Sequence, residues 1–129
     1  MPDTQLLRIR IKPGKTPRVV AFIASIRERR SEALEALERE GMLVESFFLE
    51  RLEQGDYLYY YVKTGNLPRA NAIHMGATDV LTSEIREFVE ETWGGISSPE
   101  PLLDLDLITG THPEPGSGPH ERLPVQAPE

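Results

Sequence analysis

The chain has no cysteine. That single absence removes disulfides, thiolate nucleophiles, thiolate metal sites and thiol redox chemistry together. It also suits a reducing compartment. No apolar run approaches the roughly 20 residues that a bilayer-spanning helix needs. The opening Met1-Pro2-Asp3-Thr4-Gln5 lacks the basic and apolar stretches of a secretory signal. The expectation is therefore a cytoplasmic protein with no membrane partner. Positive charge is in deficit as well, since 14 Lys and Arg stand against 21 Asp and Glu for a net charge of -7. Nonspecific nucleic-acid binders hold phosphate with an excess of Lys and Arg, so no nucleic acid is expected as a partner. The one basic cluster, Arg27, Arg29 and Arg30, is interrupted by Glu28, Glu32 and Glu35 and reads as a solvated helix face. The sequence also lacks a P-loop, a dinucleotide fingerprint, a zinc motif and a nucleophile elbow, and no metal or cofactor is expected.

What is present is an ordinary globular composition, 39% apolar and 27% charged over 129 residues, the size of one domain. A chain this long buries about two-thirds of its unfolded surface and needs no covalent staple. Leu7, Ile9 and Ile11 alternate with Arg8, Arg10 and Lys12, which predicts a strand with one face in a core. Pro13-Gly14 ends it. Thr16 reads as an N-cap with Pro17 at the first helical position, followed by a helical apolar period that runs to Gly41 as one long helix. Met42 to Leu52 and Tyr57 to Lys63 read as a hairpin around Glu53-Gln54-Gly55-Asp56. Asn66 caps a short helix that ends at Gly76. Thr78 or Asp79 caps another, whose stripe of Leu81, Ile85, Phe88, Val89 and Trp93 ends at Gly94-Gly95. Leu103, Leu105 and Leu107 alternate with Asp104 and Asp106, which predicts a fourth strand. From Gly110 onward Pro and Gly dominate, so residues 1–109 are expected to form the domain and 110–129 a disordered tail.

The order strand, helix, strand, strand, helix pair, strand is that of an α+β, ferredoxin-like βαββαβ fold. It implies an antiparallel sheet of order 4-1-3-2 with the helices on one face. Leu7, Ile9, Ile11, Leu58, Tyr60 and Val62 belong under the helices, with Leu103, Leu105 and Leu107. The other face carries Arg8, Arg10, Tyr57, Tyr59, Tyr61, Asp104 and Asp106, a mixture of aromatics and charges that suits partial burial against a second copy.

Several stretches carry a resemblance. They are Arg10-Ile11-Lys12-Pro13-Gly14, Glu32-Ala33-Leu34 with Glu40-Gly41, and Val44 through Arg51. Gly55-Asp56-Tyr57-Leu58 with Tyr60-Tyr61, and Arg86-Glu87-Phe88 before Trp93, complete the set. Over Leu7 to Trp93 the chain resembles an uncharacterised bacterial domain family of the dimeric α/β-barrel superfamily. The resemblance implies a ferredoxin-like protomer pairing as a homodimeric barrel. It implies no activity, because the superfamily spans cofactor-independent monooxygenases, haem-degrading enzymes, mutarotases and stress-response proteins.

The candidate ligand-binding residues are Arg8, Arg10, Tyr59, Tyr61 and His74. Arg8 and Arg10 beside Asp104 and Asp106 could hold an anionic or polyhydroxylated ligand, or simply form cross-strand ion pairs. Tyr59 and Tyr61 could orient a substrate or serve packing. His74 could act as an acid or base, since the unperturbed pKa of an imidazole lies near neutrality, or ligate haem iron; near a helix end it also suits the dipole. Trp93 could cap a pocket mouth or close the core, and His112 and His120 show no metal spacing. Two functions follow. One is a small-molecule pocket, with or without cofactor-independent catalysis; the other is a non-catalytic homodimeric module that spends the same sheet face on self-association.

Overall fold

The computed structural model describes residues 3–108, so the expected tail at 110–129, with His112 and His120, lies outside the described residues. Four strands and four helices follow one another as β1 (Asp3–Ile11), α1 (Thr16–Glu28), α2 (Arg30–Glu40), β2 (Met42–Leu52), β3 (Gly55–Thr64), α3 (Leu67–Gly76), α4 (Val80–Thr92) and β4 (Trp93–Ser97). The strands form one sheet of order β2-β3-β1-β4, and every pairing is antiparallel. This is the ferredoxin-like α+β arrangement, with the expected strand order.

The core follows from the alternation of β1 and β3. Ile9, Ile11, Leu58 and Val62 are at most 2% exposed, packed with Val19, Phe22 and Phe88 from the helices. Phe22 of α1 stacks on Phe88 of α4 at 4.3 Å between ring centroids, which locks the two helices over the sheet. Glu53 and Gln54 turn the hairpin, and Gly55 opens β3 at φ 147. The Arg10 guanidinium lies where a Gly55 side chain would stand, and its Nη2 donates to the Gln54 carbonyl at 2.7 Å. Asn66 and Asp79 cap α3 and α4 by accepting from Arg69 N and Thr82 N.

Three sequence expectations are corrected. The long helix over 16–41 is two helices, broken at Arg29 (φ -105, ψ 43). Arg29 N is shared between the carbonyls of Ser25 and Ile26, while the guanidinium leaves the helix to meet Glu32 and Glu84. The first helix is also capped one residue early: Lys15 holds the N-cap, and the Thr16 hydroxyl donates to Asp56 at 2.7 Å. The third correction concerns the fourth strand, which is not Leu103–Leu107 but Trp93–Ser97. Gly94-Gly95 therefore does not terminate a helix in a loop; the chain passes straight from α4 into β4, beside β1.

Leu103, Leu105 and Leu107 accordingly do not lie under the helices; they are 77–81% exposed. Their segment keeps its alternation in the opposite sense, because Asp104 and Asp106 accept from the Lys63 ammonium at 2.5 and 2.6 Å. Lys63 shares the face of Tyr57, Tyr59 and Tyr61 on β3, so residues 99–108 form an arm held to the sheet face away from the helices. No helix among the described residues is long and apolar enough to cross a membrane.

Candidate functional site

The break at Arg29 matters because α1 and α2 then wrap two sides of one cavity. Phe22, Ile23 and Ile26 of α1 and Ala33, Ala36 and Leu37 of α2 line it, with Leu81, Ile85 and Phe88 of α4 opposite and Phe47 and Tyr60 of the sheet as its floor. Its volume is about 270 Å³. A cavity of roughly 150 Å³ holds a benzene, so this one has room for a ligand of about ten heavy atoms.

One end is polar. Glu40 closes α2 and is only 7% exposed, with its Oε2 3.2 Å from His74 Nδ1 on α3. Next to it the Tyr60 hydroxyl donates to Glu45 Oε2 at 2.6 Å. Of the lining residues, Glu45 and Asn71 are the exposed ones, so the cavity opens to solvent there. The protein crowded around Glu45 raises its pKa by desolvation, and the charge of Glu40 adds to the effect, against the Tyr60 hydrogen bond and His74. Burial pushes the Tyr60 hydroxyl well above its ordinary value, helped by Glu45 and Glu40.

The floor is aromatic. Phe47 stacks on Tyr60 at 4.7 Å, and Trp93 is tilted against Tyr60 at 6.1 Å. Trp93 lines the cavity from the start of β4, and its buried Nε1–H has no hydrogen-bond partner among the described residues. A buried donor left without an acceptor is uncommon in a finished interior.

Of the five residues expected to bind a ligand, only His74 lines this cavity. The other four sit on the opposite sheet face. Arg8 Nε donates to the Tyr59 hydroxyl at 3.4 Å, its guanidinium lies 3.8 Å above the Tyr57 ring, and Tyr59 in turn donates to Glu50 at 2.6 Å. Tyr61 stands between Leu6 and Ser46 in the strand register. Asp104 and Asp106, expected beside Arg8 and Arg10, instead hold Lys63, since the arm that carries them is not the edge strand next to β1.

Glu40 and Glu45 were not anticipated as site residues, although both have a sequence signal. Glu40 falls on the helical stripe of Ala33, Ala36 and Leu37, and Glu45 shares the period-two face of Phe47. A carboxylate on an otherwise apolar stripe marks a polar point in a buried face. Among the described residues there is no group of three or more His, Asp or Glu placed to hold a metal ion.

A family model described as a family of unknown function, DUF6176, matches residues 2–110. None of the curated proteins matches the chain. Among solved structures, protein SO0527 from Shewanella oneidensis is similar at 15% identity and a TM-score of 0.49, over 76% of this chain and 86% of its own. Rv0793 from Mycobacterium tuberculosis is similar at 13% identity and a TM-score of 0.51, over 82% of this chain and 100% of its own. At that identity the second likeness speaks for the fold alone.

Proposed function

The chain belongs to a family of unknown function, DUF6176, and from that premise we propose that it binds a small, mainly apolar molecule between its helices and its sheet. The observation that carries this reading is the cavity itself, an apolar space of about 270 Å³ with Glu40, Glu45, Tyr60 and His74 gathered at its one polar end. An apolar pocket with a few convergent polar groups is the usual form of a small-molecule site. A cofactor-independent reaction there would use His74, oriented by Glu40, as its proton carrier.

Trp93 is the only tryptophan and lines the cavity, so its fluorescence reports occupancy. Titration with 1-octanol, an uncharged probe of suitable size, is expected to give a saturable change. Ala36→Phe, which fills the space from α2, should abolish that change with the circular dichroism spectrum kept. Native mass spectrometry of freshly purified protein provides a second readout, a retained mass that denaturation releases. No saturable octanol response together with no retained mass would sink the proposal.

A second reading concerns the opposite face, and the exposed leucines of the arm favour it. Arg8, Arg10, Tyr59 and Tyr61, with the arm over 99–108, are proposed to meet a second copy in a dimeric α/β barrel. In its bare form this is a homodimeric interaction module with no chemistry of its own.

A further inference from the structure

The charge of the cavity wall narrows the ligand beyond its size. The ionisable side chains lining it are Glu40, Glu45, His74 and the Tyr60 phenol, and no Lys or Arg lines it. A protonated His74 offsets one carboxylate; a neutral His74 offsets none. Glu40 is buried and has His74 as its partner, so its charge acts on its neighbours with little water between. Both neighbours register it. Glu45 and the Tyr60 hydroxyl each hold their proton more tightly, first through burial and then in part through the charge of Glu40. Two carboxylates in a wall that has no Lys or Arg make this end a region of negative potential, which favours a positive charge and opposes a second anion.

The aromatic floor points the same way. Phe47 stacks on Tyr60, whose hydroxyl is bonded to Glu45, and Trp93 is tilted against the same ring; a cation within about 6 Å of a ring centroid is attracted by its quadrupole. We infer that the cavity takes an amphiphilic organic cation, an amine on an alkyl or aryl body, with the body among the apolar walls and the ammonium between Glu45 and Glu40. A fatty acid of the same length would find two carboxylates and no fixed cation. The inference rests on the cavity being a ligand site and adds the chemical class of the ligand.

Three probes with one tail separate the possibilities: octylamine, 1-octanol and octanoate, each titrated at pH 7 against Trp93 fluorescence. Octylamine should bind about tenfold more tightly than octanol, as a charge-assisted contact in a partly desolvated site predicts, and octanoate should bind weakest. Glu45→Gln keeps an acceptor for the Tyr60 hydroxyl and sits at the open end, where folding tolerates it. It should bring octylamine close to octanol. Equal binding of amine and alcohol, indifferent to Glu45→Gln, would overturn the cation inference with the cavity reading intact, and tightest binding by octanoate would reverse its sign. Failure of all three probes would overturn the cavity reading itself.

Discussion

Glu45 shows how much one side chain's surroundings decide. Its pKa lies above the usual 4.5, first because protein crowds it and then because Glu40 is near. The groups facing it come from three elements, Tyr60 on β3, Glu40 on α2 and His74 on α3. Between the ordinary and the raised value the folded chain keeps a proton that the unfolded chain has released. Stability therefore falls as pH rises through that window. The unfavourable contribution is absent below the ordinary value and complete above the raised one. Glu45→Gln removes it, so the variant should melt above the wild type at pH 7 and converge with it below pH 4. Solvent reaches Glu45 at the cavity mouth, which keeps the gain to about one or two degrees. Differential scanning calorimetry across that range tests the sign; a variant less stable at pH 7 would contradict it.

At the scale of elements, the junction between α4 and β4 is the least obvious part of the fold. A side chain on Gly94 would stand 2.8 Å from the carbonyl oxygen of Arg10, whereas one on Gly95 would meet nothing within 4 Å. The backbones of β4 and β1 approach closely at the place where their register shifts between Ile9 and Ile11. Gly94→Ala should cost about 1–3 kcal/mol, because only backbone movement relieves the clash, and Gly95→Ala should be close to neutral. Paired urea denaturation curves distinguish them, and equal midpoints would refute the account. The same junction explains what the sequence made legible. The hairpin, the caps at Asn66 and Asp79 and the faces of β1 and β3 are local patterns, readable from period and turn chemistry. Gly94-Gly95 looks like a helix terminator, because a tolerance for close approach and a helix stop use the same residue. Leu103, Leu105 and Leu107 look like a core strand because alternation does not state which set faces inward; here Lys63 draws the aspartates in. The cavity was legible only through His74 and Trp93, since Glu40 and Glu45 sit on stripes that pattern reading assigns to the core.

For the whole molecule, the sheet separates two surfaces of different character. The helix side encloses the cavity, and the other side carries Arg8, Tyr57, Tyr59 and Phe48, with an arm tied to Lys63 whose leucines are exposed. Leu102, Leu103, Leu105 and Leu107 are all at least 77% exposed, and Phe48 is 59% exposed. Those leucines form an apolar row of the order of the few hundred Å² that a monomer seldom leaves open unless it has a partner. A second copy, docked sheet to sheet about a two-fold axis, would cover both rows at once. Light scattering should then show a dimer at micromolar concentration. Leu103→Asp with Leu105→Asp should give a folded monomer, and Asp104→Asn with Asp106→Asn should weaken the dimer by releasing the arm from Lys63. A wild-type monomer at that concentration would exclude the pairing. Because cavity and leucine row lie on opposite faces, the monomeric double variant should still bind octanol with wild-type affinity. Loss of binding on dissociation would mean instead that the partner copy helps to shape the cavity.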